Sequence, residues 1–205
     1  MSAEIISHLT NADRVMGRLI RRVGPFALEP DKRRTPFQAL VRAVANQQLD
    51  GKAAATILGR FTGLFPGKRF PKPEALSAVT DEALRGCGFS RAKVAAIRDI
   101  ASKAMSGVIP TSGRIARLSD DAIVERLTEA RGVGRWTVEM LLIFQLGRPD
   151  VLPVDDFGVR NGFRLAYGKE TMPKPKELLE YGERWRPYRS AASWYLWRAT
   201  ELTWE

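Results

Sequence analysis

The stretch Leu127-Thr-Glu-Ala-Arg-Gly-Val-Gly-Arg-Trp-Thr-Val-Glu-Met140, followed by Leu152-Pro-Val-Asp-Asp156, decides how this chain is read. Upstream, Ser119 followed by Asp120, Asp121 and Glu125 marks a helix start, with a hydroxyl cap and acids near the positive end of the dipole. Ile123, Val124 and Leu127 give that helix an apolar face. Gly132 and Gly134 interrupt the pattern, and Arg135 to Leu146 resumes it with Val138, Leu141, Leu142 and Leu146 directed inward. Gly147 and Pro149 close the second helix. Glycines in the turn permit positive φ and close backbone approach, and the following helix opens with unpaired N–H groups. Such groups, aided by the dipole, favour an anion such as a DNA phosphate. By itself a Gly-x-Gly turn also fits a tight helical connection. The acid pair Asp155–Asp156 downstream suggests chemistry on DNA in addition to binding.

Composition points the same way. Against 23 Asp and Glu stand 33 Lys and Arg, a net charge of +10 in 205 residues, which suits a polyanion through steering and counterion release. The length allows one or two domains and the 44% hydrophobic content a sizeable core. No apolar run is long enough to span a bilayer, and Met1-Ser-Ala-Glu-Ile-Ile lacks a secretory pattern, so a cytoplasmic location is expected, on the nucleoid or, in a eukaryote, in the nucleus. A single cysteine, Cys87, and a single histidine, His8, exclude a disulfide framework, a Cys/His zinc site and a four-cysteine iron–sulfur cluster. His8 has no context for a Ser-His-Asp triad, and Cys87 reads as a small buried side chain. Catalysis is left to carboxylates, lysines, aromatics or bound water.

The coarse map is helical throughout. Thr35 caps a segment from Pro36 through Gln48, with Phe37, Leu40, Val41 and Val44 on one face. Lys52 to Phe65 follows, then a Pro/Gly-rich connection from Phe65 to Pro73. Thr80 caps a short helix, Ser90 to Met105 forms a longer one, and a final helical region runs from Pro187 to about Leu202. Period-two alternation is nowhere sustained, so no sheet is expected. Leu84-Arg-Gly-Cys-Gly-Phe-Ser-Arg-Ala-Lys-Val94 repeats the Gly-x-Gly theme. Gly88, Ser90, Arg91 and Lys93 there form a second candidate phosphate contact, the alternative being a loop with solvated charges.

Arg131-Gly-Val-Gly-Arg-Trp-Thr137, Leu152-Pro-Val-Asp-Asp156 and Arg184-Trp-Arg-Pro-Tyr-Arg-Ser190 with Trp197 together resemble the alkylation-repair branch of the helix-hairpin-helix DNA glycosylases, and within it the 3-methyladenine DNA glycosylase II type. The resemblance runs from about Phe37 to Trp197 and rests on three motifs in the right order. It implies an all-α fold of the HhH-GPD type, two helical subdomains flanking a DNA-binding cleft. One subdomain is expected over about 36–150, carrying the hairpin at about 119–147, and the other over about 1–35 plus about 151–205. The chain resembles the compact, yeast-type members, without the additional N-terminal β-domain of the bacterial prototype.

The implied activity is hydrolysis of the N-glycosidic bond of alkylated purines in double-stranded DNA, by a monomer acting on a flipped-out nucleotide. The resemblance makes Asp156 the catalytic carboxylate, with Asp155, the second choice, capping the helix that begins near Phe157. Trp136 and Trp197 match the pocket tryptophans, which would hold a cationic base by stacking and cation–π attraction; aromatics at helical spacing are otherwise core. Met140 and Arg198 stand where the prototype has tyrosines, and Arg131 and Ala130 replace a proline and a larger apolar residue. Gln48, with Gln47 beside it, matches the wedge that fills the vacated stack, the alternative for both being a helix-end hydrogen-bond network. Gly132, Gly134, Arg135 and Thr137 would grip phosphate. The backbone carbonyls of Thr128, Ala130 and Val133 would hold Na+ or K+; no cofactor is required. Relatives that also cut the backbone carry a lysine shortly after the hairpin, usable as a Schiff-base nucleophile, where this chain has Trp136, so a monofunctional enzyme is expected. Two other readings are a non-catalytic helix-hairpin-helix DNA-binding module, which leaves the tryptophans and acid unexplained, and a glycosylase for oxidised or mismatched bases, against which the missing lysine and cysteine cluster count.

Overall fold

The computed structural model describes residues 2–204, and no β-strand occurs among them. In chain order the helices are α1 (Ser2–Ala12), α2 (Arg14–Val23), α3 (Pro36–Asn46), α4 (Gly51–Gly63), α5 (Asp81–Gly86) and α6 (Arg91–Met105). There follow α7 (Ser112–Ile115), α8 (Asp120–Thr128), α9 (Arg135–Leu141), α10 (Phe157–Ala166), α11 (Pro175–Gly182) and α12 (Arg189–Ala199). Short polar side chains start many of them. Thr35 accepts the Gln38 amide while the Gln38 side chain accepts the Thr35 amide, a reciprocal cap with Pro36 at the first helical position. Asp50, Thr80, Ser90 and Ser119 cap α4, α5, α6 and α8 one way only, their side chains accepting first-turn amides, each contributing about 1 kcal/mol.

Several boundaries differ from the sequence expectation. The run Arg135–Leu146 is α9 followed by a π-helical turn, Leu142–Leu146. The segment from Pro36 ends at Asn46 instead of Gln48, and the last helix is Arg189–Ala199. Helices α1 and α11 carried too few inward apolar residues to be read, α1 burying Ile5 and Leu9 and α11 Leu178 and Gly182; α2, which buries Met16, Leu19 and Ile20 behind its Asp13 cap, was missed although that pattern was present.

The chain divides into two compact units. One comprises the residues through Pro30 together with those from Leu142 onward; the other is Asp31–Leu141. The sequence expectation put these joints near 35 and 150; the second lies where α9 gives way to the π turn, a place periodicity does not mark. In the first unit Leu9, Met16, Leu19, Val159, Leu178, Trp185, Tyr195 and Leu196 form the core. Asp13 organises it. Its Oδ1 caps α2 by accepting the Val15 and Met16 amides, and its Oδ2 accepts the Tyr167 hydroxyl at 2.5 Å and the Trp185 indole at 3.2 Å. α10 crosses α12 at Gly162, where a Cβ would lie 1.8 Å from the Leu196 carbonyl oxygen, so that crossing excludes any side chain.

In the second unit α6 and α9 both pack on α3, and α8 packs on α9. Phe61 meets Phe65, Phe70 and Phe89 edge-on at 5.4–5.7 Å, a favoured aromatic geometry. The Arg98 guanidinium donates to the Leu76 and Val79 carbonyls and to Asp81, tying the connection after α4 to α6. No helix among the described residues is long and apolar enough to cross a membrane.

Candidate functional site

The hairpin lies in the Asp31–Leu141 unit. α8 ends at Thr128, the Ala130 amide donates to Leu127 O and the Val133 amide to Ala130 O, and α9 begins at Arg135. Gly132 has φ +76°, and a Cβ there would sit 3.1 Å from the Ala96 methyl on α6, so conformation and proximity both call for glycine. Gly134 is exposed, and a Cβ there would meet nothing within 4 Å, so no internal contact requires it. α6 also anchors the loop through Asp99, whose Oδ2 accepts the Arg131 amide at 2.7 Å while Lys103 pairs with the same carboxylate. Burial alone would raise the Asp99 carboxyl; the Arg131 amide and the Lys103 ammonium outweigh it and hold the group below the usual aspartate value. Arg135 is exposed and donates to the buried Glu139 at 3.0 Å; Thr137 is buried.

The cation implied for this loop would be held by the Thr128, Ala130 and Val133 carbonyls. The Ala130 carbonyl already accepts the Val133 amide and keeps a second lone pair. Carbonyl oxygens alone fit a hard monovalent cation and not a transition metal. Among the described residues no three His, Cys, Asp or Glu side chains are grouped to hold a metal.

The second glycine turn is built alike. Gly88 has φ +109° and packs against Ile57, Ser90 caps α6 by accepting the Lys93 amide, and Arg91 is exposed. Lys93, expected on phosphate, is placed elsewhere: its ammonium donates to the Ala45 carbonyl at 2.9 Å and the Gln47 carbonyl at 2.7 Å. The unpaired carbonyls at the C-terminal end of α3 are its partners, a cation at the negative end of a helix.

Beyond α3 the chain turns through Gln47 and Gln48. The Gln47 side-chain amide donates to Gly132 O in the hairpin at 2.9 Å. Gln48 is exposed and sits in the left-handed region at φ 58°, followed by the exposed Leu49. A cavity of about 500 Å³ is lined by Ala43, Asn46, Gln47, Gln48, Trp136, Thr137 and Met140. The structure thus gathers the wedge candidates Gln47 and Gln48 with the pocket candidates Trp136 and Met140 around one space. Trp136 is 47% exposed, unlike a core tryptophan.

Asp156 and Trp197 belong to the other unit. Asp155 is exposed and Asp156 buried, and the helix cap falls to Asp156: its Oδ1 accepts the Val159 amide at 2.8 Å. This corrects the expectation that Asp155 caps α10; the acid at the position immediately before Phe157 is the one whose side chain can reach the amide three residues on. The same Oδ1 accepts the Trp197 indole N–H at 2.8 Å. Gly158 makes this possible, since a Cβ there would lie 2.7 Å from Trp197 Cδ1 and 3.2 Å from Asp156 Oδ1. Phe144 lies against Trp197 at 5.4 Å, and Phe157 is 67% exposed directly beside the acid.

The Arg184–Ser190 motif fastens the segment ahead of the acids. Arg189, almost fully buried, binds both carboxylate oxygens of Asp150, at 2.7 and 3.1 Å. Ser190 Oγ accepts the Val151 amide and donates to the Arg148 carbonyl. Trp185 is core, Trp194 packs edge-on against Phe26 and Tyr195, and Arg198 pairs with Glu201. Sequence reasoning missed Phe144, Phe157, Gly158, Asp99 and Leu49. For Gly158 a signal existed, a glycine in the first turn of a helix two residues after the acid; the others show themselves only in the packed chain.

A family model described as HhH-GPD superfamily base excision DNA repair protein matches residues 41–187. DNA-3-methyladenine glycosylase 1 of Schizosaccharomyces pombe is 42% identical over 198 residues, covering 95% of this chain and 86% of that protein. The solved structure of the S. pombe 3-methyladenine DNA glycosylase Mag1 in complex with abasic DNA superposes with a TM-score of 0.88 at 41% identity, covering 98% of each chain. A DNA-3-methyladenine glycosidase from Bacillus halodurans superposes with a TM-score of 0.86 at 37% identity, over 95% of this chain and 88% of that one. By sequence, by fold and by the order of its motifs, the chain belongs to the HhH-GPD superfamily of base excision DNA repair proteins.

Proposed function

We propose that the protein is a monofunctional DNA glycosylase that hydrolyses the N-glycosidic bond of alkylated purines, such as 3-methyladenine and 7-methylguanine, in double-stranded DNA. The observation that carries this reading is Asp156, a buried carboxylate whose Oδ1 receives two N–H donors, from Val159 and Trp197. Both donors fix the plane of the group.

An alkylated purine carries positive charge and departs with the electrons of the C1′–N bond as a neutral base. The sugar is left with oxocarbenium character, which a fixed negative charge stabilises electrostatically. Water then adds to C1′, and its proton passes to Asp156 or onward to solvent. Trp136 and Met140 supply an apolar, polarisable wall for the extruded base, and the indole face favours a cation. Gln48 serves as the wedge, and Gly132, Gly134, Arg135, Gly88, Ser90 and Arg91 as the phosphate grip, with Na+ or K+ on the Thr128, Ala130 and Val133 carbonyls adding positive charge to it. With Trp136 after the hairpin there is no amine at that position for a Schiff base. The protein acts as a monomer wherever its DNA lies.

The test is release of free base from duplexes carrying a panel of alkylated purines. Asp156→Asn is expected to lower single-turnover release at least ~100-fold while duplex affinity holds. Strand breaks without heat or alkali would refute the monofunctional claim. Binding without base release by the wild-type protein would favour the non-catalytic module.

A further inference from the structure

Helix α6 touches the hairpin and the Gln48 turn at once, through Lys93, Ala96 and Asp99. These residues are three apart and share one side of the helix. Lys93 holds the Ala45 and Gln47 carbonyls, Ala96 lies under Gly132, and Asp99 receives the Arg131 amide. Gln47 closes the circuit by donating its side-chain amide to the Gly132 carbonyl. Between these ties stands Gln48, a non-glycine residue in the left-handed region with an exposed side chain. Such a conformation persists only where the surroundings impose it. Gln48 has no burial of its own to do so, and the constraint comes from its neighbours.

We propose that Lys93 is a positioning residue for base extrusion, holding the Gln48 turn and the hairpin as one preformed piece so that wedge and phosphate grip reach DNA in register. This rests on the glycosylase reading above. Two of the three ammonium hydrogens are committed to backbone carbonyls, which sets Lys93 apart from the exposed Arg91. Burial pushes the Lys93 ammonium below the usual lysine range, in accord with its withdrawal from solvent. Preorganisation of this kind removes an ordering cost that the DNA complex would otherwise bear.

The test uses the full chain with Lys93→Met, Lys93→Arg and Gln47→Leu. Single-turnover base release is measured from an alkylated purine in a fully paired duplex and from the same lesion in a single-nucleotide bulge, where extrusion is already largely accomplished. A 2-aminopurine next to the lesion reports extrusion, and affinity for undamaged duplex is followed against salt. Lys93→Met is expected to slow release from the paired lesion about tenfold and to lower the 2-aminopurine signal, while release from the bulge and affinity for undamaged DNA stay within about twofold. Lys93→Arg restores part of the loss, and Gln47→Leu gives a smaller effect of the same pattern. Equal slowing on both lesions overturns the proposal, as does a fall in undamaged-duplex affinity with a salt slope smaller by about one, which would make Lys93 a phosphate contact. Hydrogen exchange on the DNA-free protein decides the point even if the wild type releases no base, a result that would refute the glycosylase reading alone. Residues 46–50 and 129–134 are expected to lose protection together in Lys93→Met, and unchanged protection overturns the proposal.

Discussion

Asp156 combines two roles on one oxygen, because Oδ1 serves both as the cap of α10 and as the acceptor of the Trp197 indole. Hydrogen bonds to a charged group contribute about 1.5–3 kcal/mol each, so the carboxylate is held firmly in one orientation. Gly158 is the residue that lets the indole come so close. Gly158→Ala would put a methyl 2.7 Å from Trp197 Cδ1, and the ring must swing away from the acid. We expect a loss of about 1–3 kcal/mol in stability, seen in denaturant unfolding. Base release should fall ~10-fold or more, with undamaged-duplex affinity unchanged. Normal release in a folded Gly158→Ala protein would show that the indole does not orient the acid. The sequence reading gave capping to Asp155 and catalysis to Asp156, whereas the structure gives the cap to Asp156. A cap is itself an orienting device for a carboxylate, so capping by Asp156 is compatible with the catalytic role proposed for it.

At the scale of elements, legibility followed the start signals. α3, α6 and α8 combine a hydroxyl cap with a regular apolar face, and each was read within a residue or two. α2 exposes Arg14, Arg18, Arg21 and Arg22 and is capped by Asp13, whose other partners, Tyr167 and Trp185, lie far along the chain. No local pattern announces such an arrangement. The anchoring of the hairpin on α6 is of the same kind, since Asp99 looks like an ordinary helix-surface acid until its bond to Arg131 is seen. Asp99 has its carboxyl held below the usual aspartate value by the Arg131 amide and the Lys103 ammonium. A depressed folded value means that its stabilisation is complete above the unfolded value of about 4 and fades as pH falls through the lower folded value. Asp99→Asn should therefore cost about 1 kcal/mol near neutrality and should remove part of the stability that the wild type loses below about pH 4. Thermal unfolding of both proteins between neutral and acid pH tests this, and parallel curves would exclude the anchor.

Across the whole molecule the net charge of +10 is unevenly shared. The Asp31–Leu141 unit holds 19 Lys and Arg against 11 Asp and Glu, a net +8, and the remaining residues hold 14 against 12, a net +2. The total was plain from composition; its concentration on the unit with both glycine turns emerged only when the chain was divided. Neutralising phosphates releases counterions from DNA, so affinity for undamaged duplex should fall linearly with salt on logarithmic axes, by about 0.9 per phosphate engaged. Arg91, exposed at the start of α6 beside Gly88, is the cleanest probe of that slope because no ion pair restrains it among those seen in the structure. Arg91→Ala should reduce the slope by about one and weaken binding to all sequences alike. Single-turnover base release with the DNA fully bound should not change, because the chemistry proposed for Asp156 is local and charge at Arg91 acts on association. A titration of duplex binding against potassium chloride for both proteins reads the difference directly. An unchanged slope would remove Arg91 from the phosphate grip and leave the glycine turn at 86–88 as a helical connection only.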